Sequence, residues 1–272
     1  MKNLLRKPDR NWGMVHGISS ANANWKYVGF SLFRLKEGKS ISKLNATEET
    51  IIVIIEGKID LIVGKNKFGE LGKRMDVFEK SPPNSVYVPN NLAWSCRATT
   101  NCTLAVCQAP GSGKHDARIL DTPTMTIRGL GTNTRYIYNI AMEEDDVADS
   151  LLVTEVFTPS GNWSSYPPHR HDENNFPEIT YLEETYYHRV NPPDGFAIQK
   201  VWTENGEIDE TLSVKNHDVV LVPKGHHPCG VPYGYELYYL NVMAGPVRKW
   251  RFKNHPDYDW IFQRDKIESP NG

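Results

Sequence analysis

Two histidines one residue apart, His169 and His171, are the side chains of this 272-residue sequence whose type and spacing point most directly to chemistry. They end the segment GNWSSYPPHRHD, which covers residues 161–172. In a β-strand, residues i and i+2 face the same side, so both imidazoles would point one way and Arg170 the other. Neutral imidazoles are common ligands of divalent transition metals, and the pair therefore indicates half of a metal site.

Further ligands for such a site follow along the chain. The run YLEETYYH, residues 181–188, offers a carboxylate at Glu183 or at Glu184, and alternation in a strand lets only one of the two point inward. A third imidazole could come from His226 or from His227. Three imidazoles and one carboxylate, with positions left open for water or substrate, suit a divalent metal used in catalysis.

A weak internal repeat places this cluster in the second half of the chain. Glu-Glu-Thr precedes a hydrophobic strand at 48–50 and again at 183–185, an offset of 135 residues. SVYVPNN at 85–91 resembles DVVLVPKG at 218–225, where the prolines are 134 residues apart. Each landmark is short, so a chance match is the alternative, but two nearly equal offsets favour two similarly folded halves.

The two copies differ in histidine content. The first copy has no histidine before its Glu pair or after its Pro, whereas the second has two histidines in each place. We therefore expect an N-terminal barrel without a metal site at 1–125 and a C-terminal barrel with one at 126–272.

Short runs of β-branched and aromatic residues dominate the sequence, and Gly, Pro, Asn or Asp usually bounds them. The clearest runs are 51–55, 59–63, 151–157, 219–222 and 235–243. No long segment has the apolar spacing of an amphipathic helix, although the polar tail 255–266 is a weak helix candidate. The stretch 109–150, with an acidic patch, resembles a connector. This pattern predicts an all-β fold of the sandwich or barrel type.

Composition limits the partners. The net charge is −2, so no basic surface favours nucleic acid or an anionic membrane, and a small molecule is the expected partner. The four cysteines form no CxxC pair and are expected to be buried, reduced thiols of a cytoplasmic protein. The N-terminus is not a signal peptide, and no run approaches the ~20 apolar residues of a membrane span.

The spacing of His169, His171, a downstream Glu and a later Pro-x-Gly with a nearby His resembles the two cupin motifs. Cupins are small antiparallel jelly-roll β-barrels and are often duplicated as bicupins. More narrowly, four segments closely resemble the 5-deoxy-glucuronate isomerase family of myo-inositol catabolism: GNWSSYPPHRHD, YLEETYYH, VPKGHHPCGVPYGY and YYLNVMAGPVRKW. The resemblance covers nearly the whole chain. A sister family, the 5-keto-4-deoxyuronate isomerases of pectin breakdown, shares the architecture.

The resemblance implies that His169, His171, Glu184 and His227 hold one divalent metal. His226 is the alternative to His227, because the family pattern Gly-x-His-Pro favours the second of the two. The sister family suggests zinc, whereas the ligand types also admit manganese, iron or nickel.

One departure from the general cupin pattern lies between the second histidine and the glutamate. Twelve residues, 172–183, stand where three or four are usual. Because DENNFPEITYLE is polar and contains proline, we expect a loop at the mouth of the barrel.

The reaction implied is the isomerisation of the aldose 5-deoxy-D-glucuronate to the ketose 2-deoxy-5-keto-D-gluconate. A proton must leave the carbon next to the aldehyde, which requires a base and an electrophile. Tyr186 and His188 share the strand face of Glu184 and are the candidate catalytic residues. Glu183 and a metal-bound water are also open as the base.

The substrate carboxylate should need a cationic anchor. Arg248 is the candidate, with Tyr238 as a substrate-binding neighbour, and a solvated charge is the alternative for this arginine. Arg128 and Arg135 carry the same two alternatives.

Three other functions compete with this one: a pectin-pathway uronate isomerase, a metal-dependent dioxygenase on the same barrel, and a sugar-binding bicupin without turnover. Pairing of exposed edge strands would make the protein a homo-oligomer.

Overall fold

The computed structural model describes residues 3–266, and β-strands make up most of their regular structure. The strands up to residue 119 are β1 (Leu5–Arg6), β2 (Gly13–Ile18), β3 (Gly29–Leu35), β4 (Ser40–Asn45), β5 (Glu48–Glu56), β6 (Ile59–Val63), β7 (Asn66–Leu71), β8 (Asn84–Val88), β9 (Leu92–Ala98), β10 (Cys102–Pro110) and β11 (Arg118–Ile119). The later strands are β12 (Met125–Arg128), β13 (Arg135–Ala141), β14 (Leu152–Thr158), β15 (Trp163–Ser164), β16 (His169–Arg170), β17 (Asp172–Asn175), β18 (Ile179–Tyr181), β19 (Glu183–Asn191), β20 (Ala197–Trp202), β21 (Asp209–Val214), β22 (Val219–Val222), β23 (Cys229–Gly230), β24 (Glu236–Ala244) and β25 (Lys253–Asn254).

Helices are short. They are α1 (Ser20–Ala23), α2 (Asp259–Asp265) and 3₁₀ turns at Val77–Glu79, Gly131–Asn133 and Pro256–Tyr258. The weak helix candidate at 255–266 therefore corresponds to a 3₁₀ turn followed by α2. No helix in residues 3–266 is long and apolar enough to cross a membrane.

Two large sheets form the body of each half of the molecule, the second half adds two sheets of two strands each, and the strands pair antiparallel. The first half has a six-stranded sheet, β11-β8-β5-β10-β3-β2, and a four-stranded sheet, β4-β9-β6-β7. The second half has the order β1-β22-β19-β24-β14-β13-β12, which β1 joins from the N-terminus, and the four-stranded sheet β15-β23-β20-β21. This architecture is the all-β double barrel that the sequence predicts. The predicted boundary after residue 125 falls at the first residue of β12 and stays a prediction.

Strand alternation divides the apolar residues between two kinds of core. In β5, Ile51 and Val53 belong to a core shared by both halves, whereas Ile52 and Ile54 lie inside the first barrel. The uninterrupted IIVII run is explained by this burial on both faces, since all five side chains are at most 1% exposed.

Strand register shows how the two halves correspond. Thr50 pairs with Val88, and Glu184 pairs with Val222, so both partners differ by 134 residues. Thr50 is thus the counterpart of Glu184, and the offset of 135 inferred from the two Glu-Glu-Thr triplets is one residue too long. The first barrel has no carboxylate at this position.

Glu49 and Glu183, which correspond at this offset, make equivalent contacts across the two halves. The Glu183 carboxylate accepts hydrogen bonds from the backbone N–H groups of residues 26–28, at 2.8, 2.8 and 2.9 Å. The Glu49 carboxylate accepts from the N–H groups of residues 149–151, each at 2.7 Å. Each barrel therefore uses one buried carboxylate to hold the segment that enters a central strand of the other barrel.

Two polar segments differ from their predicted structure. The stretch 109–150 is not a connector alone, because it contains β12 and β13 at the edge of the seven-stranded sheet. The insert 172–183 is not a loop but an irregular hairpin, in which β17 pairs with β18. The strands β12, β17 and β18 are short, and Asn139 interrupts the apolar residues of β13, so neither segment contains a long apolar run.

Candidate metal centre and its cavity

Three short structural segments bring the candidate ligands together inside the second barrel. His169 lies on β16, where it pairs with Asn254 of β25, and His171 follows directly. Arg170 points away from the pair and forms ion pairs with Asp172 and Glu173. The alternation predicted for this His-x-His segment is therefore present.

β19 and the turn after β22 supply the other two groups. Glu184 faces the barrel interior, whereas Glu183 faces the first half of the chain, as the alternation requires. His227 lies beside Glu184, with its Nε2 3.2 Å from Oε2. His226 instead packs between the rings of Trp202 and His255, at 5.1 and 4.7 Å between centroids.

The resulting cluster is compact and buried. One nitrogen from each of His169, His171 and His227 lies within 4.8 Å of the others. Glu184 Oε2 is 3.0 Å from His171 Nε2. The four side chains belong to residues that are at most 8% exposed. A buried set of three imidazoles and a carboxylate has the composition of a catalytic metal site.

Backbone carbonyls determine which imidazole nitrogens face the cluster. His171 Nδ1 lies 3.2 Å from the Leu182 carbonyl, and His227 Nδ1 lies 2.8 Å from the Gly225 carbonyl. If each Nδ1–H donates to its carbonyl, each Nε2 presents a lone pair to the cluster. His227 Nε2 is buried, and although Glu184 Oε2 lies 3.2 Å away, no acceptor among residues 3–266 is aligned with it as a hydrogen bond. A cation between these nitrogens and Glu184 would satisfy them, so the residues fit a divalent metal.

Electrostatics favours the same interpretation. Burial opposes ionisation of Glu184, but the neighbouring His171 and His227 outweigh burial and lower its pKa to about 2. Burial and the adjacent imidazoles lower the pKa of His169 well below its usual value. Burial would lower the pKa of His171, but the hydrogen bond and charge of Glu184 raise it. Glu184 and His169 thus favour the protonation states that metal binding requires, an ionised carboxylate and a neutral imidazole.

The cluster forms part of a cavity inside the second barrel. His169 and Glu184 line it, together with Arg128, Arg135, Ile137, Asn139, Thr154, Val156, Ser165, Tyr186, Tyr239, Asn241, Met243 and Trp250. Most of the polar lining comes from β12, β13, β19 and β24, so the seven-stranded sheet forms its main wall.

The two candidate catalytic residues occupy different depths. Tyr186 lines the cavity, and its hydroxyl lies 2.9 Å from Ser165 Oγ. His188 lies behind Tyr186, with stacked rings 5.9 Å apart, and its Nε2 is 2.9 Å from Gln199 Oε1. Burial lowers the pKa of His188 to about 4, so it is neutral near pH 7. The geometry supports contact with substrate for Tyr186 but not for His188.

The structure does not bring Tyr238 or Arg248 into the cavity. Tyr238 faces the core shared by both halves, where its hydroxyl donates to Glu155 at 2.9 Å, and alternation turns Tyr239 toward the cavity instead. Arg248 donates to three backbone carbonyls, those of Met142, Asp145 and Leu151. These contacts use the polar atoms of both side chains, and the substrate-binding role predicted for them has no support in this geometry.

Arg128 and Arg135 line the cavity in their place. The sequence left both ambiguous because their strands lie in the stretch that resembled a connector. The sequence reasoning did not identify Asn241 or Ser165 as site residues. The alternation of β24 would have indicated Asn241, since it lies two residues after Tyr239.

Comparisons with known proteins agree with this description. A family model described as "KduI/IolB family" matches residues 3–261. A 5-deoxy-glucuronate isomerase of Geobacillus thermodenitrificans is 51% identical over 253 residues, which cover 92% of each chain.

Two solved structures bear on the fold. The crystal structure of an IolB-like protein from Salmonella typhimurium superposes with a TM-score of 0.93 at 44% identity, covering 95% of this chain and 99% of that one. Oxalate decarboxylase of Lactobacillus farciminis, with a TM-score of 0.64 at 11% identity, covers 98% and 95% and shows the fold alone. The predicted bicupin fold is confirmed.

Proposed function

The chain belongs to the KduI/IolB family, and from that premise we propose that it is a metal-dependent aldose–ketose isomerase acting on 5-deoxy-D-glucuronate. The product would be 2-deoxy-5-keto-D-gluconate, in myo-inositol catabolism. The isomerase class rests on the names of its close relatives. The observation that carries the proposal is the buried His169, His171, His227 and Glu184 cluster in the wall of a polar cavity.

We assign these four side chains as the ligands of one divalent ion, with zinc as the proposed metal by resemblance to the sister family. When bound, such an ion supplies a Lewis acid that polarises the carbonyl and hydroxyl oxygens of the sugar. The orphaned His227 Nε2 and the low pKa of Glu184 support this assignment.

Side chains of the protein must remove the proton from one carbon and return it to the other. In the isomerisation, the carbon next to the aldehyde loses a proton and its hydroxyl becomes a carbonyl, while the aldehyde carbon gains a proton and its oxygen becomes a hydroxyl. Tyr186 is the side chain we assign to hold or move a proton at its Oη. Ser165 orients that hydroxyl, and His188 supports the Tyr186 ring from behind.

Replacing His171 with Ala tests the assignment. We expect H171A to lose bound metal and isomerase turnover, measured by elemental analysis and by NMR of 5-deoxy-glucuronate with and without chelator. H226A is the matched control, because His226 is equally buried but lies outside the cluster. Full metal content and activity in H171A would overturn the ligand set.

The same preparation separates the competing functions. Turnover of 5-keto-4-deoxyuronate in preference to 5-deoxy-glucuronate would favour the pectin-pathway reaction. Oxygen uptake with iron would favour a dioxygenase, and binding without product a sugar-binding protein.

Two further proposals concern the setting of the enzyme. All four cysteines are buried and unpaired, which supports a reducing, cytoplasmic location. A homo-oligomer stays a proposal that rests on the exposed edge strands, and light scattering of the purified protein tests it.

A further inference from the structure

Two arginines that face each other across a hairpin form an unassigned feature of the cavity. Arg128 ends β12, Arg135 begins β13, and the two are direct partners in the antiparallel register. Both line the cavity that contains His169 and Glu184. Neither forms an ion pair with an acidic side chain anywhere in the described part of the chain.

This arrangement is unfavourable without an anion. Like charges directly opposite each other on paired strands repel, and solvent screens only part of this repulsion, because Arg128 is exposed but Arg135 is partly buried. Burial, together with the charge of Arg128, opposes protonation of Arg135 and lowers its pKa below the usual value. A bound anion between the two guanidinium groups would replace this repulsion with charge-assisted hydrogen bonds.

Other contacts fix the positions of the two guanidinium groups. Arg135 Nη1 donates to the carbonyls of Asn133 and Tyr166, both at 3.2 Å. The Arg128 guanidinium lies over the Trp250 ring, 5.8 Å from its centroid. Because neither contact neutralises charge, the positive charge of both groups stays available to a ligand.

A buried amide adds an independent sign of a polar ligand. Asn241 lines the same cavity and is 4% exposed, and its Nδ2 has no hydrogen-bond partner within residues 3–266. It pairs in register with Tyr186 on one side and Thr154 on the other, both of which also line the cavity. An unsatisfied buried donor is unfavourable, and a ligand oxygen would satisfy it.

We propose that Arg128 and Arg135 bind the carboxylate of a sugar-acid substrate and so leave the aldehyde end at the imidazole cluster. The proposal rests on the proposed function for the identity of the aldehyde end. The carboxylate contact itself follows from the unpaired charges of the cavity. It assigns substrate selectivity to β12 and β13 rather than to the cluster.

Substitution of Arg135 with two matched substrates tests the contact. The substrates are 5-deoxy-glucuronate and 5-deoxy-glucose, in which a neutral CH₂OH replaces the carboxylate. Loss of one charge-assisted interaction predicts that R135Q lowers kcat/KM for the acid about 10- to 100-fold, mainly through KM. Turnover of the neutral sugar and the metal content should stay at wild-type values, and R135K should recover part of the loss. R97Q, which changes an exposed arginine of the first barrel, is the control.

Calorimetric binding of D-glucuronate and D-glucose gives a readout that does not depend on turnover. Wild-type protein should bind glucuronate more tightly than R135Q or R128Q does, with equal binding of glucose by all three. Glucuronate binding that is equal in wild type and R135Q, or absent from both, overturns the anchor. A third outcome is that glucuronate binding depends on the arginines but 5-deoxy-glucuronate is not isomerised. That outcome would overturn the proposed function and still support carboxylate binding by Arg128 and Arg135.

Discussion

Replacing Glu183 with Gln should destabilise the fold without removing the chemistry. Glu183 is 1% exposed, and its carboxylate accepts three backbone N–H groups from residues 26–28. An amide of the same shape has one accepting oxygen, and its NH₂ group faces a backbone donor. At least one charge-assisted hydrogen bond is lost, which costs about 1.5–3 kcal/mol, and a donor is left unsatisfied for a further ~1 kcal/mol or more.

A total of about 3 kcal/mol should lower Tm by roughly 6–12 °C, because a chain of this size loses about 2–4 °C per kcal/mol. Differential scanning calorimetry and urea unfolding at pH 7 measure the loss. E49Q, which changes the corresponding carboxylate of the other barrel, should lose a similar amount. E48Q is the control, because Glu48 is only partly buried and contacts the Gln108 side chain.

Turnover distinguishes a scaffold role from a catalytic one. Below its transition temperature, E183Q should keep its metal and a kcat near that of the wild type, because Glu183 points away from the cavity. A wild-type Tm combined with a large loss of kcat would refute this reasoning and return Glu183 to the list of possible bases.

Two other predictions follow from the site. Y186F should keep the metal but lower kcat by about 10²- to 10⁴-fold, as expected for loss of a proton-transferring group. It should also reduce the incorporation of solvent deuterium into product. A change in kcat of less than twofold would contradict the role given to Tyr186. In metal-free protein, the lowered pKa of Glu184, about 2 against 4.5, contributes stability that is complete above pH 4.5 and is lost as the pH falls toward 2. The contribution is about 3 kcal/mol, and urea unfolding between pH 2 and 6 should show it in wild type but not in E184Q.

The structure was easiest to predict where buried strands produce a recognisable run or alternation of residue types along the sequence. IIVII and VVLV lie in central strands with both faces covered, so their β-branched runs predict β5 and β22. The His-x-His spacing gave the shared face of His169 and His171 for the same reason, since alternation is a local property of the backbone.

Alternation shows which side chains share a face of a strand, but it does not show which face lines the cavity. That depends on how the two barrels pack together. Tyr238 and Tyr239 are equivalent in the sequence, but only Tyr239 lines the cavity, because the other side of β24 covers the first barrel. Arg128 lies on the edge strand β12 and Arg135 on its neighbour β13, and only the three-dimensional register shows that the two residues are partners. The substrate end of the site was therefore harder to predict than the metal end.

The two adjacent carboxylates of β19 explain why a barrel without histidines matters for the site. Glu183 is bound by the backbone of the first half, and this contact helps to fix the register and rotation of β19. Because side chains alternate along a strand, Glu184 faces the opposite side, toward His171 and His227. In the first barrel, Glu49 makes the equivalent contact but is followed by Thr50, so the anchoring is shared by both halves while the ligand carboxylate is present in one. The first barrel thus stabilises the strand that carries the ligand carboxylate, while none of its described side chains lines the cavity.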